Sequence, residues 1–246
     1  MNTNYDNKLK SLYSSISPGK PIMSSDLAKL GISSDLAVYY VKAGWLERLS
    51  NGVYLKPQST LEFKACINVL QKKIKGLHIG GKSALEQYGI RHYLSKSPTT
   101  YLYSWETVKL PDWFASRYNC ELQRKRIFRE SHDLLLHVSH FDDKDDNNLV
   151  SEPERAVLEL LSGVGVSQSL TESEEILEGA LNLRPDIITT LLQHCTSVKT
   201  VRLFLEIAEK LSLPVYEEIK DQKFPSGSAS NWVWRNKDGN TLVLRP

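Results

Sequence analysis

Three cysteines in 246 residues are few, and Cys66, Cys120 and Cys195 stand too far apart for a CxxC metal knuckle or a dense disulfide framework. Buried, reduced thiols are expected instead. Nowhere do eighteen apolar residues run together, and the opening stretch MNTNYDNKLKSLYSSI is polar and amphipathic with no apolar h-region. Neither membrane insertion nor secretion is indicated, and the cytoplasm is the expected compartment. The chain has no GxSxG elbow and no HExxH pair, which leaves nucleophilic and zinc-dependent catalysis without support. Internal repeats and low-complexity tracts are missing as well.

What is present suffices for a full core: 41% of residues are hydrophobic, and the length suits two domains, one small and one larger. The net charge of +2 hides an asymmetry. Residues 1–130 carry 20 Lys and Arg against 10 Asp and Glu, whereas residues 131–246 carry 11 against 19. A basic first half suits a polyanion and an acidic second half repels one, so the two halves point to different partners.

Residues 24–57 organise the rest. Ser24 or Ser25 is placed to cap a short helix with Leu27, Ala28 and Leu30 on its apolar face, and Gly31 allows a left-handed end. Ser33 or Ser34 then opens a second helix in which Leu36, Tyr40 and Val41 share a face while Ser34, Asp35, Val38, Tyr39 and Lys42 lie largely opposite. Gly44 ends it. Strands at residues 46–49 and 53–56 flank Ser50, Asn51 and Gly52, and the Asn-Gly pair predicts a type I′ hairpin. Two helices and a hairpin in this order form a winged helix-turn-helix, which can place its second helix in a DNA major groove while Arg48 and Lys56 reach for phosphates. Winged helices also serve as protein-interaction modules.

Residues 5–16 supply the first helix of this unit, with Tyr5, Leu9, Leu12, Tyr13 and Ile16 at near-helical spacing. A longer helix is predicted at 61–75, with Phe63, Ile67, Leu70 and Ile74 on one face and Lys64, Gln71, Lys72 and Lys75 on the other. A short helix follows at 83–88. Segments 100–104, 120–128 and 134–141 read as strands of a small antiparallel sheet, and 142–148 as an acidic loop. Helices are then expected from Pro153, at 173–181, 185–194 and 198–211, before a closing hairpin of 232–235 and 241–245 joined through 236–240. The fold class is α/β (α+β), with a winged helix over residues 1–58 and a mixed domain over 59–246 that begins with a helical connector at 59–95.

Three constellations invite chemistry. GLHIGGKS at residues 76–83 satisfies G-x-x-x-x-G-K-[ST] letter for letter, but residues 61–75 have helical spacing where a phosphate-binding loop needs a buried strand. The glycines at 80 and 81 instead let a helix enter close to its neighbour. His132, His137 and His140 lie near Asp142, Asp143, Asp145 and Asp146, yet on one strand the odd separation of His137 and His140 turns them to opposite faces. Pro185-Asp186 with Glu218-Ile219-Lys220 is superficially a metal-dependent nuclease pattern, but the first pair is better explained as a helix start.

With these pieces placed, the chain resembles AbiEi family antitoxins of type IV toxin-antitoxin systems over nearly its full length. The resemblance is carried by Gly44-Trp45-Leu46-Glu47-Arg48 running into Gly52-Val53-Tyr54, and by Gly80-Gly81-Lys82-Ser83-Ala84-Leu85-Glu86. It implies a transcriptional repressor that binds inverted repeats in the promoter of its own operon. It further implies a C-terminal domain countering a nucleotidyltransferase-like toxin without a stable complex, in phage resistance by abortive infection. Many members place a basic residue near the start of the recognition helix or at the wing tip, where this chain has Ser34 and Asn51. The expected DNA contacts are therefore Ser33, Ser34, Tyr39 and Lys42 toward bases or adjacent phosphates, and Arg48, Asn51 and Lys56 on the backbone, with two copies on DNA. No catalytic residue, cofactor or metal is expected. The competing expectation is a metal-dependent nuclease with a winged-helix head.

Overall fold

The computed structural model describes residues 3–91, 99–129, 135–141, 148–228, 230–235 and 241–244. The chain divides into two compact units: Met1–Ile74 with Val108–Tyr118 and Asp142–Asn148, and Lys75–Thr107 with Asn119–Phe141 and Leu149–Pro246.

The first unit runs α1 (Thr3–Ser15), β1 (Ile22–Met23), α2 (Ser24–Lys29), α3 (Ser34–Lys42), β2 (Glu47–Ser50), β3 (Val53–Leu55) and α4 (Phe63–Lys73). Leu12, Ile16, Leu27, Ile32, Leu36, Tyr40, Leu46 and Tyr54 close one core over α1 to β3, which gives the winged helix its stability through apolar burial. Both glycine ends form as spacing predicted. Gly31 and Gly44 adopt φ of +74° and +76°. Behind them Ile32 N–H donates to the Leu27 carbonyl at 3.0 Å and Trp45 N–H to that of Tyr40 at 2.8 Å, the long bonds of Schellman ends.

Two local expectations are corrected. Neither Ser24 nor Ser25 caps α2: its cap position is Met23, which makes no side-chain bond. Ile22 and Met23 instead form a strand paired antiparallel to Tyr54 and Val53, and Ser24 N–H donates to the Gly52 carbonyl at 2.9 Å, so the helix springs directly from the sheet. The wing turn is not type I′. Of the Asn-Gly pair only Gly52 has positive φ, at +69°, and the β2–β3 register shifts between Arg48 and Ser50, so the turn closes through a bulge.

After α4 come β4 (His78–Ile79), α5 (Gly81–Gln87) and β5 (Thr100–Ser104) of the second unit. Next is α6 (Asp112–Ala115) of the first, where Phe114 and Tyr118 pack on Phe63 and the Tyr118 hydroxyl donates to the Leu61 carbonyl at 2.6 Å. The second unit continues through β6 (Cys120–Arg124), β7 (Val138–His140), β8 (Leu149–Ser151), α7 (Pro153–Ser162), α8 (Leu170–Leu177), α9 (Pro185–His194), α10 (Val198–Lys210), α11 (Pro214–Ile219), β9 (Trp232–Arg235) and β10 (Thr241–Leu244). The α+β class stands.

The five-stranded sheet of this unit, ordered β6-β5-β4-β8-β7, is mixed rather than antiparallel throughout. β5 and β6 run parallel, as do β4 and β8. Parallel neighbours need a crossover, which for β5 and β6 is the excursion carrying α6. Of the expected strand 134–141, residue 134 lies outside the described residues and β7 begins only at Val138. His137 sits in the preceding turn at φ +51°, with Nδ1 3.2 Å from Glu152 Oε2, so it does not share a strand with His140. His132, the four aspartates, most of the acidic loop and the turn at 236–240 also lie outside the described residues.

Helix α7 starts with Pro153 in its first turn, as expected, and is buried all round. A helix enclosed on every side must satisfy its own polar groups. Glu154 accepts from Arg184 Nε and Nη2 at 3.0 and 2.7 Å. Arg202 of α10, also buried, donates to the carbonyls of Ser226, Ser228, Ser230 and Leu244, tying down the segment that leads into the β9–β10 hairpin.

Candidate nucleic-acid interface

Helix α3 is fixed by one face and open on the other. Leu36, Ala37 and Tyr40 are buried, whereas Ser34, Asp35, Val38, Tyr39 and Lys42 are exposed. Ser33 is the cap: its Oγ accepts the Leu36 N–H at 3.3 Å. That bond fixes where α3 begins and leaves Ser34 as its first exposed residue. Tyr39 is 59% exposed and Val38 42%, high values for side chains that gain by burial. Lys42 stands in the last turn.

The wing tip gathers two cations. Arg48 Nη2 donates to Asn51 Oδ1 at 3.1 Å and its Nε to the Ser50 carbonyl at 3.4 Å. Lys73, from the last turn of α4, donates to the Asn51 carbonyl at 2.8 Å. All three acceptors are neutral oxygens, and among the described residues no carboxylate neutralises the guanidinium or the ammonium. An anion arriving there meets positioned donors. Spacing singled out Lys72 and Lys75 of this basic stretch but not Lys73. The missed contact spans 22 residues, and only folding brings α4 against the turn.

Lys56 lies apart from this pair. It follows β3 at the end remote from the turn, half-buried, with Nζ 4.7 Å from the Tyr13 ring centroid. Tyr13 is itself held by its hydroxyl bond to the Trp45 carbonyl at 3.0 Å. The structure therefore groups Ser34, Tyr39 and Lys42 on one helix face and Arg48 and Asn51 with Lys73 at the wing tip.

The GLHIGGKS segment has a different occupant. β4 lies inside it and α5 begins at Gly81, whose N–H donates to Glu159 Oε2 at 3.1 Å. That carboxylate also accepts from Arg155 Nε at 2.7 Å and Ser151 Oγ at 2.8 Å and meets His78 Nε2 at 2.8 Å. A side chain on Gly80 would collide with Glu159 and Tyr103, which is the close approach the glycines were expected to permit. Burial alone would raise the Glu159 pKa, but His78 and Arg155 outweigh it and hold the carboxyl down at about 2. Protein carboxylate thus fills the helix start that a phosphate would need, and Lys82 is paired with Glu172.

In the nuclease-like pattern, Asp186 and Glu218 are exposed, and Lys220 bonds Glu217 at 2.5 Å rather than Glu218. Among the described residues no group of three or more His, Cys, Asp or Glu is arranged to hold a metal ion. Nor is any described helix long and apolar enough to cross a membrane. Cys66 and Cys195 are buried free thiols and Cys120 is partly buried; burial raises all three to about 11.

Two family models match. "Transcriptional regulator, AbiEi antitoxin N-terminal domain" covers residues 5–96, and "Transcriptional regulator, AbiEi antitoxin, Type IV TA system" covers residues 97–243. Among solved structures, the RV2827C protein from Mycobacterium tuberculosis superposes with a TM-score of 0.55 at 12% identity, over 94% of this chain and 89% of that one, a likeness of fold. No curated protein matches the sequence.

Proposed function

This chain belongs to the AbiEi antitoxin family of transcriptional regulators of type IV toxin-antitoxin systems, and from that premise we propose that it is a non-catalytic DNA-binding autorepressor and antitoxin. Residues 1–58 act as the DNA-binding head and 59–246 as the part that counters a nucleotidyltransferase-like toxin, without a stable complex. Two copies occupy inverted repeats in the promoter of the operon. Helix α3 enters the major groove with Ser34 and Tyr39 at the bases, Ser33 at its mouth and Lys42 toward phosphate. Arg48 and Asn51 hold the backbone, Lys73 joins them, and Lys56 contributes from the strand end.

The observation that carries this reading is the wing tip: two cations that, among the described residues, bond only to neutral oxygens, in the same unit as a helix whose outer face is exposed. Neutralising phosphates releases counterions, so affinity must fall steeply with salt. Fluorescence anisotropy with a duplex spanning the DNA upstream of its own reading frame, titrated across salt concentrations, is the test. Tight binding with a steep negative slope, lost on scrambling the repeats, is expected. Absence of binding at low salt would overturn the proposal, and metal-dependent cleavage of the duplex would return the nuclease alternative.

A further inference from the structure

The following rests on the assignment of α3 as the helix that enters DNA. The side chains of α3 are Ser34, Asp35, Leu36, Ala37, Val38, Tyr39, Tyr40, Val41 and Lys42. Arginine, asparagine and glutamine, which grip purine edges bidentately, are missing from it. Lysine occurs once, in the last turn, whereas a recognition helix contacts bases chiefly from its N-terminal residues. What the outer face offers in its middle is apolar: Val38 one turn beyond Ser34, and the flank of Tyr39 beside it. Two side chains make too small a patch for a stable protein interface. Lys42 on the same helix, and Arg48 and Lys73 at the wing tip of the same unit, favour an anionic partner instead.

The major groove has one apolar feature, the C5-methyl of thymine. We propose that this protein reads its operator chiefly through thymine methyl groups, packed against Val38 and the flank of Tyr39, rather than through bidentate purine contacts. Asp35 sharpens the choice. Its carboxylate is exposed and has no ion-pair partner among the described residues. Guanine and thymine offer it only acceptors, whereas cytosine N4 offers a donor. The half-site is therefore thymine-bearing opposite Val38, with an amino group opposite Asp35.

The experiment replaces thymines with deoxyuridine, one at a time, in the upstream duplex and measures affinity of the full-length chain by anisotropy. Loss of the methyl at one or two positions per half-site should weaken binding about three- to tenfold, the scale of one buried methyl group. Val38→Ala should lose a similar factor on the thymine duplex and become indifferent to deoxyuridine at that same position, a non-additive cycle. Val38→Thr, which keeps a branched side chain and one methyl, should retain part of the sensitivity, and circular dichroism reports that the variants fold. Tight binding to the thymine duplex with unchanged affinity for every deoxyuridine duplex would overturn this proposal and leave the DNA-binding function intact. So would a methyl effect indifferent to substitution at both Val38 and Tyr39. Failure to bind the unmodified duplex would overturn both.

Discussion

The wing tip and the start of α5 are both glycine turns surrounded by charge, and they handle it in opposite ways. At Asn51 and Gly52 the cations Arg48 and Lys73 are exposed and bonded to neutral oxygens, and no carboxylate among the described residues compensates them. At Gly80 and Gly81 the charges of Glu159 and Arg155 are buried and answer one another, with His78 and Ser151 completing the set. Charge left uncompensated at a surface attracts a partner, whereas charge compensated in a core costs desolvation and fixes the packing. On the proposed function one glycine turn serves recognition, while the other serves the fold, although the second carries the more suggestive sequence motif.

The strongest way to break the contrast is Glu159→Ala, which removes the buried carboxylate that Arg155, Ser151 and the Gly81 N–H bond and that meets His78. It should lower unfolding free energy by about 3–5 kcal/mol in denaturant titration. Acid gives the same information without mutation. Because the Glu159 carboxyl is held down at about 2 against an ordinary 4.5, its contribution is fully present above pH 4.5 and is lost as pH falls toward 2. Glu154, whose burial is outweighed by its bonds from Arg184, is also lowered and adds with the same sign. Thermal unfolding followed over that range should show the loss, and Glu159→Gln should flatten it.

At the wing the expected stability effects shrink and the binding effects grow. Gly52→Ala forces a left-handed φ on alanine and brings its Cβ to 3.1 Å from Ser24 Oγ, so it should cost about 1–2 kcal/mol of stability. Arg48→Ala and Lys73→Ala should each change stability by less than about 0.5 kcal/mol while reducing the salt slope of operator binding by roughly one unit. A Lys73→Ala variant with an unaltered slope would remove α4 from the interface and leave the wing to Arg48 alone.

Legibility followed the range of the interactions. The helix-turn-helix could be read because its signals are local: Ser33 caps three residues ahead, Gly31 and Gly44 end their helices within one turn, and the burial of Leu36 and Tyr40 follows from 3.6-residue spacing. Helix α9 was legible for the same reason, with proline in its first turn and apolar residues at helical intervals. Strands β1 and β4 escaped because two residues carry no alternation, and their existence depends on partners supplied from elsewhere in the chain. The caps expected at Ser24 and Ser25 failed for this reason too, since pairing with β3 had already fixed the backbone entering α2.

The sequence by itself determined the winged helix, the family, and which side of α3 stays outside, because caps, periodicity and glycine ends act over a few residues. Only the tertiary structure decided what the glycine motif holds and which lysine joins the wing. Glu159 reaches Gly81 across 78 residues and Lys73 reaches Asn51 across 22, and contacts at such separation form only when packing of the core fixes both ends in space.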